Sequence, residues 1–498
     1  MADPRVRLSP LAGDGDAASV LAALDRVHVA LHLPSDAQPA TLIASAALVA
    51  MARRLFGRVR VVGPQEVPTN WWGASTFNDF AGPTERDVEP VDAVGTIEYL
   101  VAVGDALVTD QPALYMGGGN FTARIGTTPQ MVDELTHGLG LHVAGCLVVG
   151  RLLTVALADL AGPPIDFPPS YLLDLISHHV DTTTTESANP GRSDELNSVV
   201  IAGCGSVGSS TAALLGTALH LSGLRPPNIT LVDPDPIDPD RNRWRYPALG
   251  GETGSKTDWI VDRLGSLGIT ATGVGRSVGA WNSSLPTPGL QGLLVSSVDT
   301  LEGRLEVADV LARDTLSVGV AGTALHVQRE RFDQYACPFC AYVSADPPMT
   351  QATVYAELTG LDQQRVLQLL QAGALLDQPD LDRAVSASRI AADRAHALLG
   401  RPLQDLVRQA YAEVQVPSAG GTVLSVAAPH VSWFSGAIAA IEIIKQMVDL
   451  PLLDRRVDVD LGGLPPGLVR RSRSDTTGRC VCRSGVRRDW YDRMYGAA

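Results

Sequence analysis

From Ser198 to Asp233 the chain reads SVVIAGCGSVGSSTAALLGTALHLSGLRPPNITLVD. Ser198–Ala202 is a short apolar run and predicts a buried strand. Gly203-Cys-Gly205-Ser-Val-Gly208 is a G-x-G-x-x-G. Ser209–Leu221 is rich in Ala and Leu at helical spacing, and Asn228–Val232 predicts a second strand ending on Asp233. Strand, glycine turn, helix, strand and acid make a nucleotide-binding βαβ unit. Gly203 and Gly205 let the backbone turn tightly and approach phosphates. Gly208 lets helix and strand pack closely, and the helix N-terminus offers unpaired N–H groups to an anion. Asp233 stands where a carboxylate accepts hydrogen bonds from ribose hydroxyls.

The glycine motif alone suits NAD(P), FAD or another nucleotide. The continuation narrows it: Asp233-Pro-Asp235-Pro-Ile237, Asn242-Arg-Trp-Arg245, then Gly254-Ser-Lys256. A redox dinucleotide site needs one acid for the ribose, and no Asn, Arg and Lys close behind it. A triphosphate needs cations to neutralise its charge while an acceptor attacks.

In these motifs the chain resembles the ThiF/MoeB and ubiquitin-activating-enzyme superfamily of adenylyltransferases. That family carries a glycine loop, D-x-D-x-V-x-x-S-N-L-x-R, a Lys, and a later D-N-x-x-x-R. The resemblance implies that Asp233, beside Asp235, holds ribose. It implies that Asn242, Arg245 and Lys256 contact phosphates and that Asp299 serves Mg²⁺. Here the later motif reads Asp299-Thr-Leu-Glu-Gly-Arg304, with Thr300 for Asn. The S-N-L-x-R reads Asp240-Arg-Asn242-Arg-Trp-Arg245, one residue longer and without the Ser. The implied fold is α/β, a Rossmann-like nucleotide-binding fold with a mixed sheet. The implied reaction is ATP-dependent adenylation of a C-terminal carboxylate on a ubiquitin-like or sulfur-carrier protein or a peptide.

The chain has 498 residues, 45% hydrophobic and 19% charged, an ordinary soluble globular composition. Its net charge of −15 argues against nucleic-acid and anionic-membrane partners. Six cysteines and an N-terminus without an apolar signal core point to the cytoplasm. Val143–Leu160 is apolar but broken by Arg151 and Asp159, and reads as a core helix.

The first half predicts strands at Val27–Leu33, Arg58–Val62 and Thr96–Val103, and a helix at Thr41–Phe56. His28 and His32 are either a metal pair or one half-exposed strand face. Gly117–Asn120 is either a phosphate cradle or a hairpin turn. Laid beside the second half, these runs match in order: strand 27–33 with 199–202, strand 58–62 with 229–232, and Glu98–Asp105 with Leu293–Asp299. His142-Val-Ala-Gly-Cys146 pairs with His430-Val-Ser-Trp-Phe434. This suggests a degenerate copy, a pseudo-dimer within one chain. The copy has Pro34-Ser-Asp36 in place of the glycine loop, and Pro34 removes a donor while Asp36 repels phosphate. It should bind no nucleotide. Relatives of this family lend an arginine between paired folds; Arg5, Arg7 and Arg124 are the candidates.

Cys337 and Cys340 form a C-x-x-C, and Cys480 and Cys482 a C-x-C. Two close thiolate pairs suit tetrahedral Zn²⁺; a redox pair and free thiols are the alternatives. The resemblance implies a structural zinc. Between the pairs, residues 350–416 read as a helical insertion, with helices at Leu361–Leu370, Asp382–Leu399 and Pro402–Val414. It contains no Cys. Cys146 and Cys204 are the other cysteines, and neither looks like an exposed nucleophile. The expected product is therefore an acyl-adenylate without an enzyme thioester.

The expected organisation is an N-terminal α/β domain (1–180), a linker (181–197), an adenylation domain (198–349), the insertion (350–416) and a closing part with the second cysteine pair (417–498). The expected cofactors are ATP, Mg²⁺ and structural Zn²⁺. The partner is a small protein or peptide with a free C-terminal carboxylate, and the chain is a monomeric pseudo-dimer or a homodimer. A NAD(P)- or FAD-binding oxidoreductase and a silent binding scaffold of the same fold are the competing readings.

Overall fold

A computed structural model describes residues 17–80, 97–106, 113–157, 169–181, 196–237, 252–286, 289–331, 340, 351–387, 389–390, 392–413, 416–417, 423–424, 428–454, 456–462, 469–470 and 478–496. Arg5, Arg7, the Thr182–Glu195 stretch, Asn242, Arg245 and Cys337 lie outside these residues.

Along the first half come α1 (Ala17–Asp25), β1 (Val27–His32), α2 (Pro39–Leu55), β2 (Arg58–Val62), β3 (Ile97–Val103), β4 (Ala113–Gly118), β5 (Thr122–Gly126), α3 (Leu139–Ala156) and β6 (Ser170–Asp174). The second half opens with β7 (Ser198–Ala202), α4 (Ser206–Ser222), β8 (Asn228–Val232), α5 (Lys256–Ser266), β9 (Ala271–Val274), α6 (Val278–Asn282), β10 (Leu290–Ser296), α7 (Leu301–Asp309), β11 (Ala312–Ala321) and β12 (Ala324–Glu330). The insertion holds α8 (Gln351–Thr359), α9 (Gln363–Ala372), α10 (Gln378–Ser386), α11 (Ala392–Ala395) and α12 (Leu403–Glu413), then the short pair β13 (Val416–Pro417) and β14 (Val423–Leu424). The chain closes with α13 (Pro429–Met447), β15 (Arg456–Asp460), β16 (Val469–Arg470) and α14 (Gly485–Tyr495).

The first sheet runs β2-β1-β3-β4-β5-β6, and the second runs β16-β15-β12-β11-β10-β7-β8-β9. Between β8 and β15 the second repeats the first strand for strand. In each, four strands are parallel and the next two antiparallel. The match extends to single hydrogen bonds. The Leu33 N–H donates to the Val62 carbonyl at 2.9 Å, and the Gly203 N–H to the Val232 carbonyl at 2.8 Å. The Val67 N–H donates to Ser75 O and the Ile237 N–H to Gly254 O, at 2.8 and 2.7 Å. The Phe77 N–H reaches Gln65 O and the Lys256 N–H Asp235 O, at 3.2 and 3.3 Å. Leu33 thus aligns with Gly203, Gly63 with Asp233, Gln65 with Asp235 and Phe77 with Lys256.

One difference follows from the glycines. After β7 the helix α4 begins at Ser206, whereas after β1 the helix α2 waits until Pro39. Gly203 sits at φ +87°, and a Cβ on Gly208 would lie 1.9 Å from the Gly203 carbonyl oxygen. Pro34-Ser-Asp36 cannot make so tight a turn, so α2 starts three residues late. Its N-terminus is withdrawn by about 4.5 Å of helix rise.

The helices α2, α3, α4 and α13 share one core. Small residues bring them close: a Cβ on Gly436 of α13 would meet Ser210 of α4 at 2.7 Å. Ser432 also donates to the Ser206 hydroxyl at 3.2 Å, so α4 and α13 run parallel. The Trp433 indole N–H donates to His142 Nδ1 at 3.3 Å, joining α13 to α3. The α3 helix is long and apolar enough to cross a membrane, but 83% of it is buried inside the protein, as expected of a core helix.

Beneath this core lies a charged cluster. Glu442 accepts from Lys445 at 2.6 Å, from the Leu453 N–H at 2.7 Å and from Arg329 at 3.4 Å. Lys445 also donates to the Ile176 carbonyl of the first half at 3.0 Å, and His178 stands 3.5 Å from Glu442. Burial alone would raise the Glu442 pKa, but the charged Lys445, with Arg329, holds it below the usual carboxylate range.

The insertion builds its own small core from Tyr355, Val366, Leu381 and Leu406 among others. The single helix expected over 382–399 is instead divided into α10, α11 and a 3₁₀ turn at His396–Leu398. Ile390 and Leu398 are both buried in that core. The Gly117–Asn120 stretch is a hairpin turn between antiparallel β4 and β5. Asn120 accepts the N–H groups of Thr136, His137 and Gly138 at 3.1, 2.9 and 3.1 Å, which shapes the entry to α3.

Burial pushes His137, His142 and His430 down to about 3 and His178 to about 4. Each is neutral when folded and free to protonate when unfolded, so stability is full above the unfolded pKa, about 6.5, and is lost as pH falls. Each group should cost roughly 2 kcal/mol by about pH 5. Thermal melts from about pH 7 to about pH 5 should show a steep fall, shallower in His430→Phe, whose ring nitrogens make no hydrogen bond among the described residues.

Candidate nucleotide site and sulfur cluster

In the second sheet β7 is flanked by β8 on one side and β10 on the other. The chain leaves β7 toward β8 and returns to β10, so the strand order reverses there. The crevice beyond the strand ends at such a reversal is where ligands bind in open α/β sheets. Gly203–Gly208 follows β7 into it, and Asp299 follows β10, exposed. Gly205 caps α4 without a side-chain bond, leaving first-turn N–H groups available to an anion.

Asp233 braces the turn. Its carboxylate accepts the Cys204 N–H at 2.6 Å and the Asp235 N–H at 2.8 Å. Ser297 adds a second brace, donating to the Gly203 carbonyl at 2.6 Å. Sequence reading missed that role, though Ser297 stands two residues before the singled-out Asp299.

The antiparallel bridge of Pro236 to Ser255 closes the loop between β8 and α5. It delivers Lys256, the first residue of α5, to the acids. Lys256 Nζ lies 2.9 Å from Asp235 and 3.6 Å from Asp233, and the Lys256 side chain is 10% exposed. The chain has only two lysines, Lys256 and Lys445, and both are buried. Every other fixed cation is arginine. Both ammonium groups are paired with carboxylates, Lys256 with Asp235 and Asp233 and Lys445 with Glu442, and the count of two was legible in the sequence.

Thr300 replaces the resembled family's Asn and caps α7, accepting the Gly303 N–H at 3.1 Å. Arg124 is held at home by Asp133, at 3.0 Å. His28 and His32 lie half-buried on β1 beside Arg58, Arg60 and Glu98, and belong to no metal cluster among the described residues. Cys146 and Cys204 are both buried, which raises their thiol pKa well above normal, and Asp233 pushes Cys204 further up. Neither is poised as a nucleophile.

Cys340, Cys480 and Cys482 converge from distant parts of the chain. The Cys340 sulfur lies 3.7 Å from that of Cys480 and 3.5 Å from that of Cys482, all buried. Four thiolates around zinc at about 2.3 Å stand about 3.8 Å apart along each tetrahedral edge, so this spacing fits the metal. The cluster fastens the tail beside α14, whose Tyr491 and Tyr495 hydroxyls each donate, at 2.7 Å, to the carbonyls of Arg313 and Leu311.

No family profile matches the chain. No curated protein matches it. Among solved structures, E. coli MccB with selenomethionine MccA shares 16% identity at a TM-score of 0.35, over 59% of this chain and 68% of that one. E. coli MccB with AMPCPP and MccA gives 16% and 0.34, over 57% and 67%. Likeness at that level assigns no activity, and the site stands on its own geometry.

Metal analysis of the purified protein should find about one zinc per chain. Cys480→Ser should lower both zinc content and melting temperature, while Cys146→Ser leaves the zinc unchanged.

Proposed function

We propose that this chain is an ATP-dependent adenylyltransferase acting on the C-terminal carboxylate of a small protein or peptide. The observation that carries the reading is Lys256, lodged against Asp233 and Asp235 behind the glycine turn. An ammonium held against two acids is more than the single ribose acid that an NAD site asks for, and it suits a triphosphate. The glycine turn and the open end of α4 would receive phosphates, Asp233 and Asp235 would face the ribose side, and Asn242, Arg245 and Lys256 would neutralise the departing charge. Asp299 is the residue for Mg²⁺, which would supply charge neutralisation at the phosphates.

The acceptor carboxylate oxygen attacks the α-phosphorus in line. Its bond to phosphorus forms as the bond to pyrophosphate breaks, giving an acyl-adenylate. No enzyme nucleophile is required, which agrees with two deeply buried thiols outside the sulfur cluster.

We read the chain as two fused copies of one fold, the first silent. Gly63, Gln65 and Phe77 stand there in place of Asp233, Asp235 and Lys256. In the first half residues 127–138 connect the antiparallel strand β5 to α3, and the Leu135 N–H rests on Gln38 at the head of α2. In the second half the whole insertion occupies that connection. We assign acceptor choice to the insertion and the silent half, the two parts in which the copies differ most.

ATP–pyrophosphate exchange, driven by candidate C-terminal peptides, tests the reading. Lys256→Ala should lower exchange by about 100-fold, and Asp299→Ala should abolish it. Exchange that proceeds normally in both variants would remove the assignment. MgATP should also shield Lys256 from amine acylation.

A further inference from the structure

The loop after β2 packs outside its own half. The matched hydrogen bonds align Val67 with Ile237 and Ser75 with Gly254, and the second-half stretch between these anchors is the longer in sequence. They share an Asn-x-Trp, Asn70-Trp71-Trp72 and Asn242-Arg243-Trp244, but the arginines 243 and 245 become Trp71 and Gly73. A loop that carries cations in the second half carries indoles in the first.

Those indoles leave their own half. The Trp71 N–H donates to Thr217 of α4 at 2.7 Å, and its ring stands edge-on to Trp433 at 6.2 Å. Trp72 is fully buried and meets Trp259 of α5 edge-on at 6.1 Å. Gly73 lies against Arg263 so closely that a Cβ there would fall 2.2 Å from its guanidinium. Lys256, Trp259 and Arg263 are spaced three and four apart, one stripe of α5. The turn therefore grips the same face of the helix that bears Lys256 at its head.

The grip has a conformational cost. Trp72 has φ +54° and Gly73 φ +90°. A bulky side chain in the left-handed region persists only where its surroundings enforce it. The Trp72 indole N–H has no hydrogen-bond partner among the described residues, so packing alone does the enforcing.

We propose that the Trp71–Trp72 turn of the silent half is a positioning wedge that sets the rotation of α5 and thereby lodges Lys256 in the crevice. Trp72 is a positioning residue, acting on the site only through the helix. The wedge gives the silent half a task in the proposed reaction, and it rests on that reading for its purpose but not for its test.

The test uses the full chain without nucleotide. An N-hydroxysuccinimide ester of acetic acid is added, and acylation of the two lysines is followed by peptide mass spectrometry. Lys445, fully buried in the core, is the internal gauge of global opening. In Trp72→Ala, Lys256 should acylate several-fold faster while Lys445 stays protected. Trp72→Phe should restore most of the protection. Arg263→Ala, a change on the surface of α5, should move Lys256 in the same direction and guards against a Trp72 variant that fails to fold. Unchanged labelling of Lys256 in the Trp72→Ala and Arg263→Ala proteins overturns the wedge. So does Lys445 labelling that rises in step, because the turn would then merely hold the fold together. MgATP protection of Lys256 is scored separately in the wild type; its failure would sink the adenylation reading and leave the wedge standing.

Discussion

Asp233 ties the end of β8 to the start of the glycine turn through a single carboxylate bonded to the Cys204 N–H. Without that bond the turn would have a buried donor to satisfy, and a lost partner there costs about 1–3 kcal/mol. The turn decides where α4 begins, and α4 decides where α13 can pack. The same carboxylate is one of the two that hold Lys256. The crevice is thus a by-product of strand ends held at one spacing. Lys256, Asp233 and Asp235 are side chains set on that frame.

The first half shows the same framework without that carboxylate. Gly63 takes the place of Asp233, and a loop of Pro, Ser and Asp takes the place of the glycines. The six strands of the first sheet keep the order and directions found from β8 to β15 in the second, because strand pairing depends on apolar runs and backbone bonds. The late start of α2 is the price of losing the tight turn. Two sheets of one strand order thus differ in the side chains at their strand ends, and architecture alone says little about activity.

Much of this was legible in the residues. Ser198–Ala202 and Asn228–Val232 are strands to the residue, because short apolar runs bounded by turn signals have few other uses. The convergence of Cys340, Cys480 and Cys482 was one of the readings that the two close pairs left open beside a redox pair and free thiols, and their proximity in the fold makes them a cluster that could hold a metal. The break in the helix expected over 382–399 was not legible. Its residues carry helical spacing throughout, and nothing in that spacing marks where the helix divides. Thr300 could be seen as a departure from a motif but not as a cap, which needs the helix that follows it. The Trp71–Trp72 turn was hidden for a different reason: its partners Thr217, Trp259 and Trp433 are remote in sequence. No local pattern announces a contact of that kind.

The ion cluster under α13 bears on how the chain could be divided. Lys445 spends one of its three protons on the carbonyl of Ile176, and His178 closes the far side of Glu442. Both belong to the segment just after β6. Glu442, Lys445 and Arg329, the charged members, all lie after Leu196, and the first half supplies only a carbonyl and a neutral imidazole. A fragment beginning at Leu196 would keep its ions paired but take from Lys445 the acceptor it has in Ile176, and a buried donor left without its partner costs about 1–3 kcal/mol. The second half made alone would have to offer water to an ammonium that the joined chain keeps dry.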